Sequence, residues 1–426
     1  MRKLTAILLL ALALVSCMKS PDGTDGNPDG GHGVKTEAVY VPPEEGTSVD
    51  GIFAEDYLFS DGKFYFQLKY PKGGGGGVSM LAYSDLQTGV SGIVCEDPLC
   101  THGEDACRYA DMDDYCFTDD PGVYYGYRFG SPASTIWLVD LNTDTVKLAH
   151  TMDSVFGEMI GYSGGKLYFY DQFEDMTDEK KTITEIRISC LDHETQTVTE
   201  IGYVPEEVMQ HSPLLRFMRN GEIYYSFSGS SSIYRADPEF QNISAVFEPE
   251  QGTHQWYIDD NTDAIYYLVS DQDSLTGAVY IYKNGTSAKV ELPHEGICSF
   301  SINGEKIYYT VFDPVYYGIS SAAYYFDRDP DECKTYDYTG GKVYAVSREN
   351  PSGEAELVYA SGGFDLDRLP DLDEFIVIGD YLYFDEVELR RDILDGVEYL
   401  TISHASDVQK IRVGLKDGSF TRIKFE

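Results

Sequence analysis

The stretch "TDAIYYLVSDQDSLTGAVYIYKNGTSAKVEL", Thr262–Leu292, reads as three strands separated by polar turns. "AIYYLV" is apolar at successive positions, the mark of a strand covered on both faces. "AVYIY" follows, then a polar turn, then a third run ending in "KVEL". Aromatic and β-branched residues dominate, and no helical period is present. The opening pattern, a turn followed by an aliphatic or Phe residue, Tyr and an aromatic, recurs along the chain. It reads "DGKFYF", "DPGVYY", "GGKLYF", "NGEIYY", "TDAIYY", "GEKIYY" and "GDYLYF", centred on Tyr65, Tyr124, Tyr168, Tyr224, Tyr266, Tyr308 and Tyr383.

Tyr224, Tyr266 and Tyr308 are spaced by 42 residues each. A period of ~40–45 residues with about four strands per unit is the arithmetic of a propeller blade. The predicted fold is therefore all-β, a β-propeller over 49–426 with seven blades, six and eight being the alternative counts. The anchor runs are expected to be inner strands. The strand near Ile52–Phe59 is expected to pair with the C-terminal "FTRIKFE" and hide two sheet edges. The repeat resembles the TolB-like and YWTD-like propellers of bacterial and extracellular proteins, which implies architecture and not activity. Gaps longer than one blade place insertions near 94–118 and 313–340. Long loops on a rigid scaffold commonly carry binding. In the second insertion, Tyr316, Tyr317, Tyr324 and Tyr325 lie off the repeat and are a candidate partner surface.

The N-terminus, "MRKLTAILLLALALVSCMKS", combines Arg2 and Lys3 with an apolar run, Leu4 to Val15. That run is shorter than the ~20 residues of a membrane span and suits a secretory signal. Its ending, Leu14-Val15-Ser16-Cys17, resembles the lipobox of bacterial lipoproteins. The resemblance implies a signal peptide over 1–16, lipidation of Cys17, and a place in the cell envelope, outside the cytoplasm and anchored in a membrane. Residues 17–48 begin with Pro, Gly and Asp and little apolar surface, as in a disordered tether. The full chain carries 72 acidic against 32 basic side chains, a formal net charge of −40. Such a field repels nucleic acid and favours cations and basic partners.

The first insertion contains "VCEDPLCTHGEDACRYADMDDYC", Val94 to Cys116. Outside the cytoplasm, Cys95, Cys100, Cys107 and Cys116 suit disulfides, in any of three pairings. A bridge closing ~15 residues contributes roughly 3 kcal/mol on the chain-entropy model. The same residues suit a tetrahedral zinc site, formed by Cys95, Cys100, His102 and Cys107 or by a set in which Cys116 replaces one thiolate. The spacing C-x4-C-x-H-x4-C matches no standard zinc knuckle. The loop resembles a C-x-D-P-x-C-x-H element of propeller lipoproteins of Gram-positive bacteria. Cys190 and Cys298 fall in phase with apolar neighbours and read as core.

Other motifs fall away on context. "GYSGG", Gly161 to Gly165, matches a serine-hydrolase elbow in letters but occupies a blade turn and not a strand–helix junction. "GGGGG", Gly73 to Gly77, lacks the Lys-Ser/Thr and helix of a phosphate loop. Asp259, Asn261 and Asp263 overlap a turn where such residues are expected. Asp365, Asp367, Asp371 and Asp373 form a candidate cation site, calcium being the fitting ion. The preferred functional reading is an anchored propeller that binds a protein, peptide or small-molecule ligand without catalysis. The alternatives are a metal-assisted hydrolase or lyase, and a metal-binding or sensing module at the Cys/His loop.

Overall fold

In the computed structural model, the described residues begin at Ala38 and end at Ile423. They exclude 40–50, 54–57, 61, 71–77, 96–99, 101–106, 111, 176–181, 229–231, 250–252, 260–261, 272–275, 312–314, 320–333, 338–340, 362–367, 395–396 and 403–407.

Among the described residues, the paired strands group into consecutive four-stranded antiparallel meanders, seven by this grouping, with the fifth and sixth joined in one ten-stranded sheet. Blade 1 is Leu58–Ser60, Lys63–Tyr70, Val78–Asp85 and Ser91–Ile93; blade 2 is Asp114–Phe117, Val123–Arg128, Thr135–Asp140 and Thr145–Thr151. Blade 3 is Glu158–Ser163, Lys166–Asp175, Thr182–Asp192 and Val198–Tyr203; blade 4 is Pro213–Arg219, Glu222–Phe227, Ile233–Ala236 and Ile243–Phe247. Blade 5 is Thr253–Asp259, Ile265–Asp271, Thr276–Lys283 and Thr286–Lys289; blade 6 is Ile297–Asn303, Lys306–Val311, Lys342–Ser347 and Glu356–Ala360. Blade 7 is Arg368–Ile378, Tyr381–Leu394, Val408–Gly414 and Phe420–Ile423. First strands of blades 1 and 2, 2 and 3, 3 and 4, 5 and 6, and 6 and 7 touch one another, so they line the axis. The all-β propeller predicted from the repeat is the fold observed.

The anchor runs are second strands and not the innermost ones. A second strand is flanked within its own sheet and covered by both neighbouring blades, which accounts for its continuous apolar character. Tyr65, Tyr124, Tyr224, Tyr266, Tyr308 and Tyr383 are buried, and Tyr168 is half-buried.

Seven apolar clusters fill the spaces between successive blades. Tyr65, Met80 and Leu81 of blade 1 meet Tyr115, Tyr124 and Val139 of blade 2. The same arrangement repeats around the ring. It ends with Phe64, Phe66 and Ala82 of blade 1 against Ile376, Tyr383 and Ile423 of blade 7. Among the described residues, the strand exchange expected at closure is not seen. Phe420–Ile423 pairs within blade 7, Leu58–Ser60 pairs within blade 1, and Gly51–Phe53 instead lies antiparallel on the axis-facing edge of blade 5.

In an antiparallel meander the turns after strands one and three open on one face, and those after strands two and four on the other. Connections of the first kind are two to eight residues long. They carry positive-φ residues such as Gly62, Gly122, Gly221 and Gly379, and Asp144, Gln196 and Asn284. Three of these turns follow the spacing D-x-x-T. Asp85 accepts from the Thr88 N–H at 2.8 Å, Asp140 from the Thr143 hydroxyl at 2.6 Å, and Asp192 from the Thr195 N–H and hydroxyl at 2.8 Å each. These bonds favour the carboxylates and lower all three acids from their ordinary value. These three turn acids thus have a local structural role.

Between blades 5 and 6, Arg348 and Asp259 are both buried, with Nη2 2.9 Å from Oδ2. Arg348 also donates to the Tyr266 hydroxyl at 2.8 Å and stacks over its ring at 5.1 Å. Asp259 is therefore the partner of a buried guanidinium and not a cation ligand.

Two predictions follow from these interactions. Arg348→Met leaves the Asp259 carboxylate buried and uncompensated, so urea denaturation should show a loss of about 3–5 kcal/mol, and Asp259→Leu in the same chain should recover most of it. For the turns, Asp192 has a depressed folded pKa, so its stabilisation is full above the unfolded value of ~3.9 and is lost as pH falls through the folded pKa. Asp192→Ala should lower the urea midpoint at pH 7 and leave it nearly unchanged near pH 2.

Candidate functional site

The connection from blade 1 to blade 2, residues 94–113, is the longest between successive blades. Its described residues pack against both blades. Ala110 bridges to Met80, and Gln67 Nε2 donates to the Asp113 carbonyl at 3.2 Å, both on blade 1. Arg128 of blade 2 donates to the carbonyls of Arg108 and Ala110 at 2.9 and 3.0 Å. The Tyr109 hydroxyl donates to Asp144 at 2.5 Å, and Arg108 pairs with the same carboxylate. Met112 is fully buried against Gly126, where a Cβ would meet its Sδ at 2.0 Å. Aromatic and apolar residues of the connection thus fill the wedge between two blades.

This packing brings three thiols together. The Sγ atoms of Cys95, Cys100 and Cys107 all lie within 4.8 Å of one another. Cys95 and Cys107 are buried and Cys100 is half-buried. Burial, reinforced by hydrogen bonding with Cys100 and Cys95 and opposed by the Tyr109 N–H, pushes the Cys107 thiol up to about 12. Cys116, the fourth cysteine of the loop, is elsewhere. It lies on the first strand of blade 2 and packs on the core between blades 2 and 3, where burial raises its thiol. Strand alternation places Tyr115 toward blade 1 and Cys116 toward blade 3, so any set containing Cys116 is split from the other thiols. His102 lies outside the described residues.

The remaining sequence candidates do not converge on one place. Cys190 is buried as expected, whereas Cys298 is only half-buried, since its strand shifts register between Ile297 and Ser299. Asp371 is exposed on the first strand of blade 7, opposite Asp385, and Asp373 follows within a register shift of that strand. Asp365 and Asp367 lie outside the described residues, as do Tyr324, Tyr325, Cys17 and Gly73–Gly77. Tyr316 and Tyr317 sit on Val315–Ile319, which pairs with Lys334–Asp337 as a hairpin inserted in blade 6. Gly161 to Gly165 runs through the end of one strand into a tight turn of blade 3, as its repeat position requires.

Sequence reasoning missed two features. One is a cleft of 330 Å³ lined by Asp120, Leu138, Asp140, Thr145, Lys147 and His193 among others. In it His193 Nε2 is 3.5 Å from Asp120, and Nδ1 is 2.8 Å from the hydroxyl of the buried Tyr125. These residues come from turns about 70 positions apart, with no local motif to announce them. The other is a second hairpin, Val397–Ile402 on the extended second strand of blade 7, which touches the inserted hairpin of blade 6. The long alternating run after Tyr381 was the available signal for it.

The strand topology itself places the chain among the β-propellers, and the chain has some similarity to solved structures. It is similar to the β-propeller domain of the Trilobed protease from Pyrococcus furiosus, at 12% identity and a TM-score of 0.47 over 89% of this chain and 97% of that one. It is similar to the oligogalacturonate lyase of Vibrio parahaemolyticus, at 12% identity and a TM-score of 0.40 over 88% and 97%. TolB from Acinetobacter baumannii is 15% identical, with a TM-score of 0.39 over 70% of this chain and 63% of that one. At such identities the likeness concerns the fold alone. No family profile matches the chain, and no curated protein matches it in sequence. Among the described residues, no helix is long and apolar enough to cross a membrane.

The separation of Cys116 from the other thiols is testable directly. In the folded chain, Cys116 should remain unmodified by iodoacetamide at pH 8 and should react once urea unfolds the protein, as read by peptide mass.

Proposed function

We propose that this protein is a lipid-anchored propeller of the bacterial cell envelope that binds a protein, peptide or small ligand without catalysing a reaction on it. The supporting observation is the segregation of its connections. Turns after first and third strands are uniformly short. The long connections all follow second or fourth strands and so open on one face: 94–113, the hairpin insertion of 312–341, and the hairpin extension of blade 7. Insertions that accumulate on one side of a rigid ring, two of them in contact, suit a surface selected for recognition.

A hydrolase or lyase would instead gather carboxylates and a histidine at the channel mouth. Among the described residues, His193 and Asp120 meet on the short-turn side, beside the outermost strand of blade 2. The lipobox-like ending at Cys17 supplies the anchor, and the acidic stretch after it suits a spacer.

Two measurements address this reading. Cys17→Ser should abolish acyl labelling and release the chain from the membrane fraction. A photo-crosslinking residue at position 399, on the long-connection face, should give a discrete adduct in intact cells, whereas one at position 284, on the short-turn face, should give none. Adducts only from position 284, or from neither, would overturn the binding face.

A further inference from the structure

We propose that Cys95, Cys100 and Cys107 bind one zinc ion as thiolates, and that this ion fastens the connection between the first two blades. The inference is independent of the binding reading above. Around a tetrahedral zinc with Zn–S bonds of ~2.3 Å, ligand sulfurs sit ~3.8 Å apart. Three sulfurs all within 4.8 Å need only a small contraction to reach that geometry. A disulfide would use two of them at ~2.05 Å and give the third no reason to be in the cluster.

The donor set narrows the ion. Thiolates alone suit zinc and other soft ions, and they exclude calcium and magnesium, which take oxygen ligands. The half-buried position of Cys100 leaves an approach from solvent, while Cys95 and Cys107 are held by the wedge. On binding, each cysteine forms one Zn–S bond and gives its proton to solvent, so up to three protons are released per ion. The site then carries one net negative charge. The fourth position remains for a further protein ligand or a solvent molecule.

The location explains what the ion would do. Cys95 lies two residues after the outermost strand of blade 1, and Cys107 sits three residues before the bridge from Ala110 to Met80. Between them, "EDPLCTHGEDA" is short of large apolar side chains. Metal binding supplies ordering free energy to such a segment.

The test uses the full chain purified without chelator and titrated with zinc. Native mass spectrometry should show about one zinc per chain, and the denatured, non-reduced chain should contain no bridge between any two of the three cysteines. Zinc should shield the three thiols from alkylation, and a chelator should expose them; this arm needs no variant. Cys100→Ser, the least buried position, should weaken zinc at least about tenfold in competition with a chromophoric chelator, while Cys116→Ser should leave affinity unchanged. Absence of bound zinc, unaltered affinity in Cys100→Ser, or a disulfide among the three would each overturn the proposal.

Discussion

Each four-stranded blade has two apolar faces, and neither is buried until a neighbour stands on both sides. A linear stack would leave the outer face of its first and last members in water, so the structure depends on the contact between blade 7 and blade 1. Among the described residues, that contact contains no shared strand. It is made by side chains: Phe64 lies on Tyr383 with ring centroids 4.7 Å apart, and the Tyr383 hydroxyl donates to Ser84 at 2.9 Å. Arg412 reaches across to Ser84 and Ser91 at 3.1 and 3.0 Å and to the Gly89 carbonyl, while stacking over Tyr381. The positive φ of Gly89 and the Tyr381 hydroxyl, 3.0 Å from where a Cβ would be, leave no room for a side chain at that turn. A guanidinium serves this seam well because its fixed donors satisfy several oxygens at once.

A comparable solution appears between blades 5 and 6, where Arg348, Asp259 and Tyr266 form a buried network. Both seams place a polar lock within an otherwise apolar interface. The apolar clusters supply most of the burial, and the directional bonds select one orientation of blade against blade. Between blades 1 and 2 the device differs. There the interface admits an inserted connection, and Tyr109, Ala110 and Met112 become part of the core that joins the blades. The three thiols consequently pack on the core between these blades.

The segregation of short and long connections follows from the same economy. Tight turns with left-handed residues and Asp caps hold strand pairs in register on one face, and a four-stranded blade tolerates extra chain only where its connections already span distance. Material added after second or fourth strands leaves the first-to-second hairpin intact, and that hairpin carries the buried tyrosines. Length therefore accumulates on one side without disturbing the ring. The cleft at His193 lies on the side of the short turns, where little chain is available to form a larger site.

The repeat spacing and the aromatic run after each turn are local patterns, and from them the all-β class and the propeller architecture were legible in the sequence alone. The same locality let "GYSGG" be read as a turn, since its neighbours match the other blades. The partner of each strand edge was not legible: Gly51–Phe53 pairs with blade 5 and not with the C-terminus, because edge pairing depends on where the closed ring leaves an open edge. Nor was the division among the cysteines. Four thiols within 23 residues look equivalent along the chain, yet alternate residues of a strand face opposite ways, so Tyr115 turns toward blade 1 and Cys116 toward blade 3. Sequence determined which residues form strands and turns, because those choices rest on neighbours in the chain. Only the tertiary structure decided which three sulfurs meet, because that depends on which wedge between blades each side chain enters.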